Sequence, residues 1–125
     1  MAGSFHVGYR RQPVLASASR TATTTSTDKT CPGNWLRIRT RITVVPGTAP
    51  SNVTKVQRKN PDGTYTDVLA GAAMVAVGEQ VLEIGPGLAT TANVSANALI
   101  GGPFRVVVTA GNANAATYNV TMESF

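Results

Sequence analysis

Between residues 35 and 45 the chain reads WLRIRTRITVV, with Arg37, Arg39 and Arg41 at every second position. On a helix these three side chains would scatter around the axis. On a strand, alternate side chains share a face. Leu36, Ile38, Thr40, Ile42 and Val44 then point the opposite way. The segment reads as a strand with one core side and one positively charged side, its arginines spaced about 6.7 Å apart by strand rise.

Other segments follow the same period and are closed off by Gly and Pro. Residues 53–59 and 64–69 flank Asn60-Pro61-Asp62-Gly63, where Pro presets φ and Gly supplies a positive φ, so they are expected to pair as a hairpin. EQVLEI, residues 79–84, is a further strand, stopped by Gly85-Pro86-Gly87. FRVVVTA (104–110) and ATYNVTM (116–122) flank Gly111-Asn112-Ala113-Asn114 and are expected to form a second hairpin. Val107, on the face opposite Phe104, Val106 and Val108, suggests a strand covered on both sides. Residues 88–102 read as a loop or irregular strand. No segment shows capped helical periodicity, and the richness in Thr, Val, Gly and Asn with little Leu, Lys or Glu favours strands and turns. The expectation is an all-β fold, a small antiparallel β-sandwich or barrel. Its core is expected to contain Leu36, Ile38, Ile42, Val44, Val56, Leu82, Ile84, Val106, Val108, Tyr118 and Val120.

Residues 1–30 differ. They are rich in Ser, Thr, Ala and Arg, with isolated apolar side chains, too polar to build a core of their own. They are expected to be an extended N-terminal arm ordered by a neighbouring subunit, leaving residues 31–125 as the folded domain. Deleting residues 1–25 should then leave that domain folded. Phe5, Tyr9, Arg10 and Arg11 are the expected anchor, because aromatics and Arg dominate interface hot spots.

The net charge of +5 is unevenly divided. Residues 1–59 hold ten basic residues against one acidic, Asp28, while residues 60–125 hold one basic against five acidic. This implies a positive and a negative end, suited to head-to-tail homo-oligomers or to an acidic partner. The single cysteine, Cys31, excludes an intrachain disulfide and reads as a small buried or half-buried residue. The N-terminus lacks the apolar core of a secretory signal, and no apolar run is long enough to span a bilayer.

Enzymatic chemistry finds little support. The one histidine, His6, lies in the arm, so a triad or a His-based metal site is hard to assemble. Glu79 and Glu83 are two strand steps apart, about 13 Å, and read as a solvated face. EIGPGLAT imitates a dinucleotide loop, but it lacks the third glycine and a following helix, and Pro86 removes an amide. The Asn52, Asn93 and Asn119 triplets match the glycosylation pattern without a signal peptide to make it relevant. No catalytic residue, metal or cofactor is expected. For Arg37, Arg39 and Arg41 three readings stand: a solvated outer face, a docking face for acidic protein through bidentate Arg–carboxylate pairs, or a phosphate-binding face with Trp35, Tyr9 and Phe5 stacking on bases.

A polar N-terminal arm expected to be ordered, a β-rich core without catalytic groups, and the C-terminal stretch FRVVVTAGNANAATYNVTMES together resemble the small β-sandwich structural proteins of tailed bacteriophage virions, most nearly a capsid decoration (cement) protein. That resemblance implies a virion protein assembled in the host cytoplasm, binding the outside of a shell of major capsid protein as an oligomer, with arms reaching over neighbours. Head–tail connector or tail proteins share these features, and a nucleic-acid-binding β-barrel is the other alternative.

Overall fold

Strands form where β-branched residues alternate with polar ones, and they end at Gly, Pro and Asn. The computed structural model describes residues 10–31 and 33–125. In chain order the strands are β1 (Arg10–Arg20), β2 (Thr24–Thr25), β3 (Lys29–Thr30), β4 (Leu36–Val44), β5 (Asn52–Lys59), β6 (Tyr65–Ala70), β7 (Gly78–Ile84), β8 (Ser95–Ala96), β9 (Pro103–Ala110) and β10 (Ala116–Ser124). They form two sheets, one in the order β1-β10-β4-β7-β8 and one in the order β2-β9-β5-β6, with β3 also on β9. All pairings are antiparallel except β7 with β8. The fold is an all-β sandwich.

The core lies between the sheets. Leu36, Ile38, Ile42, Leu82, Ile84, Tyr118, Val120 and Met122 of the first sheet face Val56, Phe104, Val106 and Val108 of the second, all nearly inaccessible. Two threonines cross the same interior: the Thr40 and Thr54 hydroxyls share a 2.9 Å hydrogen bond. That bond satisfies two polar groups that would otherwise be costly to bury, and it ties one sheet to the other. Ten of the eleven expected core residues are buried. Val44 is not, at 49% exposure, because the register with β10 shifts by one residue at Thr43: Ile42 lies opposite the buried Tyr118, but Val44 lies opposite Thr117 and so falls on the outer face.

The first hairpin forms as expected. Gly63 adopts φ +89° and its amide donates to the Asn60 carbonyl, closing the turn between β5 and β6. The second does not. β9 pairs with β5, β2 and β3, whereas β10 pairs with β1 and β4. The intervening turn crosses from one sheet to the other and is held by Asn112 and Asn114, whose side-chain amides donate to the Ala49 carbonyl. Turn residues permit either outcome; which strand each apolar face packs against is a tertiary matter.

Residues 10–30 correct the expectation of an arm ordered by a neighbour. They pair within their own chain: β1 lines β10 from Arg10↔Ser124 to Arg20↔Ala116, with register shifts around Leu15, while β2 and β3 edge β9. The backbone bonds to β10 and the burial of Val14 offset the ordering entropy that side-chain polarity alone made look prohibitive. Arg20 adds a clasp, donating to the Ala16 and Tyr118 carbonyls at 2.6 and 2.8 Å and stacking over the Tyr118 ring. Phe5 and Tyr9 lie outside the described residues. Cys31 is buried at the core margin, with its thiol donating to the Gly33 carbonyl and its pKa raised by that burial.

Candidate functional site

The arginine row lies on the outer face of the first sheet, as its period requires, but it is not simply solvated. Register brings four charges into one line across four strands. Arg11 on β1 faces Glu123 on β10, which faces Arg37 on β4, which faces Glu83 on β7. Signs alternate along this line, which is the favourable cross-strand arrangement. Arg37 donates to Glu83 through Nε and Nη2 at 3.2 and 3.1 Å, and its guanidinium lies over the Phe125 ring. Arg39, one step along, reaches diagonally to Glu79 at 2.7 Å and to Glu123 at 3.1 Å. Arg11 donates to the other Glu123 oxygen at 3.1 Å.

Glu123 is the centre of this lattice. Its side chain keeps only 3% exposure although it points away from the core, and Arg11, Arg37 and Arg39 all approach it. Glu123, followed by Glu79, holds the Arg39 guanidinium more firmly protonated than usual. Glu79 and Glu83 do share the outer, partly solvated face, as expected, but that face is also ion-paired. Each is matched to an arginine on the neighbouring strand, a partnership that only the β4–β7 register creates.

The second sheet carries its own polar cluster. Arg105 stacks over Tyr65 at 3.6 Å and donates to Gln57, which donates to Asp67. The Tyr65 hydroxyl and Lys59 both donate to Asp28, at 2.7 and 3.0 Å, and pin the segment before β3 to the β5–β6 hairpin. The Tyr65 bond, then that of Lys59, lowers the Asp28 pKa; Asp28 in turn raises both of theirs. Asp62 is capped within its turn by the Thr64 amide and hydroxyl and is lowered likewise.

The charges of the two chain halves therefore interleave, correcting the expected positive and negative ends. Apart from the short β8 beside β7, strands from the basic half alternate in the sheets with strands from the acidic half. All six carboxylates have a side-chain or backbone partner. Among the described residues Arg10, Lys29 and Arg41 are the cations without a hydrogen bond, ion pair or ring contact. Of the sequence-predicted site residues, Arg11, Arg37 and Arg39 meet at Glu123, Arg41 stands at the open end of the row, and Arg10 lies on β1 beside a depression shared with Lys29. Glu123 was missed. Its position directly after Met122, on the outer side of an alternating strand, was the available signal.

The described aromatic rings are all at least partly engaged. Phe104 and Tyr118 are in the core, Tyr65 lies beneath Arg105, Phe125 beneath Arg37, and Trp35 packs against Gly85. No group of His, Cys, Asp and Glu suited to a metal occurs among the described residues, and none of their helices is long and apolar enough to cross a membrane.

No protein-family model matches the chain, and no curated protein matches it. Solved structures do. SPBc2 prophage-derived protein YomS aligns at TM-score 0.46 and 14% identity, covering 93% of each chain. A chain from the structure of infectious bursal disease virus, Gx strain, aligns at TM-score 0.53 and 10% identity, over 92% of this chain and 32% of that one. The CBM22-1 xylan-binding domain of Paenibacillus barcinonensis Xyn10C aligns at TM-score 0.51 and 14% identity, over 94% and 85%. This chain thus spans about a third of the viral chain. At such identities the common property is the sandwich fold.

Proposed function

We propose that this chain is a non-enzymatic structural protein of a virion, in the manner of a phage capsid decoration protein, that works by binding protein surfaces. The observation that carries the reading is the disposition of charge. The carboxylates are committed to ion pairs or hydrogen bonds inside the chain, which leaves few groups for acid–base work, while surplus positive charge remains on the surface. The sandwich adds support of shape alone, since a virus particle uses the same fold. The ion-paired outer face makes a stiff body, and many weakly binding copies of such a body would reinforce a shell by multivalency.

Glycan binding, suggested by the xylan-binding neighbour, has less behind it, because stacking on sugars favours exposed rings and the described rings are buried or half-buried, with Tyr65 and Phe125 each holding an arginine. Nucleic-acid binding by the arginine row is weakened because Arg37 and Arg39 already hold carboxylates. Connector or tail placement fits the same features. Particles purified from the organism that expresses the chain, analysed by density gradient and quantitative mass spectrometry, should carry it in fixed copy number and expose it to external antibody. Its absence from particles would overturn the virion reading. Exposure only on a tail or neck would select the connector alternative.

A further inference from the structure

The arginine row ends in a notch. β7 begins at Gly78, opposite Ile42, whereas β4 continues through Thr43 and Val44. Beyond Gly78, Val44 pairs with Thr117 of β10 and the Thr43 hydroxyl donates to the Thr117 carbonyl, while β7 offers these two residues no pair, so that margin of β4 is unpaired. A depression of about 440 Å³ occupies this place, lined by Arg41, Ile42, Thr43, Val77, Gly78 and Glu79. Val77 is 62% exposed, and Val75 and Val44 close by in the chain are 52% and 49% exposed. Arg41 has no partner among the described residues, for Glu79 opposite it is taken by Arg39.

We infer that this notch is a docking site for an extended segment of another protein that carries a carboxylate with aliphatic side chains two residues to either side, on the same face. The segment would lie along the bare margin of β4 as an added strand, with its carboxylate on Arg41 and its apolar side chains on Val44 and Val77. A guanidinium beside exposed aliphatics, which binding would desolvate, suits a carboxylate within an apolar peptide. A phosphodiester backbone would leave the valines wet. A second copy of this chain fits poorly as the donor, because each of its six carboxylates is already engaged. The inference narrows the proposed function to one surface, and its test needs no particle, so the two can fail separately.

The test uses the intact chain, labelled with nitrogen-15, and the probe acetyl-Val-Thr-Asp-Thr-Val-amide, whose Asp and two Val share one face of an extended strand, at millimolar concentration. Amide shifts should concentrate at Thr43, Val44, Val77 and Gly78. Replacing the peptide's Asp by Asn, or the protein's Arg41 by Gln, should each weaken binding about fivefold. Val77→Ser should weaken it through the apolar contact. Arg41 is exposed and unpartnered, so Arg41→Gln should otherwise leave the spectrum unchanged. The inference is overturned if the amides do not move, if the Asn peptide binds equally, or if Arg41→Gln binds as the parent does. It is equally overturned if a single-stranded thymidine oligonucleotide at the same concentration shifts these amides more strongly.

Discussion

Replacing Glu123 by Gln removes one charge and almost no volume from the centre of the arginine lattice. Three guanidiniums then converge on a neutral amide within a site where the native carboxylate keeps 3% exposure. Breaking a fully buried pair costs about 3–5 kcal/mol. Here the arginines retain 29% to 63% exposure, so water recovers part of that, and about 2–3 kcal/mol of destabilisation is expected. Urea unfolding at 25 °C would read this as a midpoint lower by roughly 1–1.5 M at an unchanged slope. A partly buried cluster is weakly screened, so most of the loss should persist in 0.5 M salt. A loss below about 0.5 kcal/mol, or one that disappears in salt, would show that the row behaves as ordinary surface charge and would refute the lattice as a structural element.

Three further outcomes follow from the same physics. Removing residues 1–25 should cost about 3 kcal/mol or more through the lost burial of Val14 and the bared edge of β10, and should give an aggregating or unfolded product by size exclusion and thermal melting; a monomeric domain of unchanged melting temperature would restore the expectation of a dispensable arm. Thr40→Val should destabilise by about 1–3 kcal/mol by orphaning the Thr54 hydroxyl, while adding Thr54→Val should recover most of it, as a double-mutant cycle in urea would show. Asp28 has a folded pKa below its ordinary 3.8, so its contribution is present above pH 4 and lost as pH falls through the lower folded value. Melting temperatures of the parent and Asp28→Asn should therefore differ at pH 6 and converge towards pH 2; a constant difference would mean the Asp28 charge is not responsible.

Local chemistry determined a good deal of this protein. The period of two in residues 36–42 set a strand and sorted its side chains to two faces, because pleating alternates them; at Thr43 a register shift against β10 ends the period and turns Val44 outward. Asn60-Pro61-Asp62-Gly63 made a hairpin, because its backbone preferences are satisfied within four residues. Most of the core was legible for the same reason: burial follows apolar alternation.

Partnership was decided elsewhere. Whether Gly111–Asn114 closes a hairpin or carries the chain between sheets depends on what β9 and β10 pack against, which lies far off in sequence. Residues 10–20 look too polar to order alone, yet an edge strand draws its stability from backbone bonds to β10, and composition does not register those. Glu123 lies 112 residues from Arg11 and 84 from Arg39. Only strand order and register bring these charges together, because ion pairing is set by distance in space and composition records only how many charges exist.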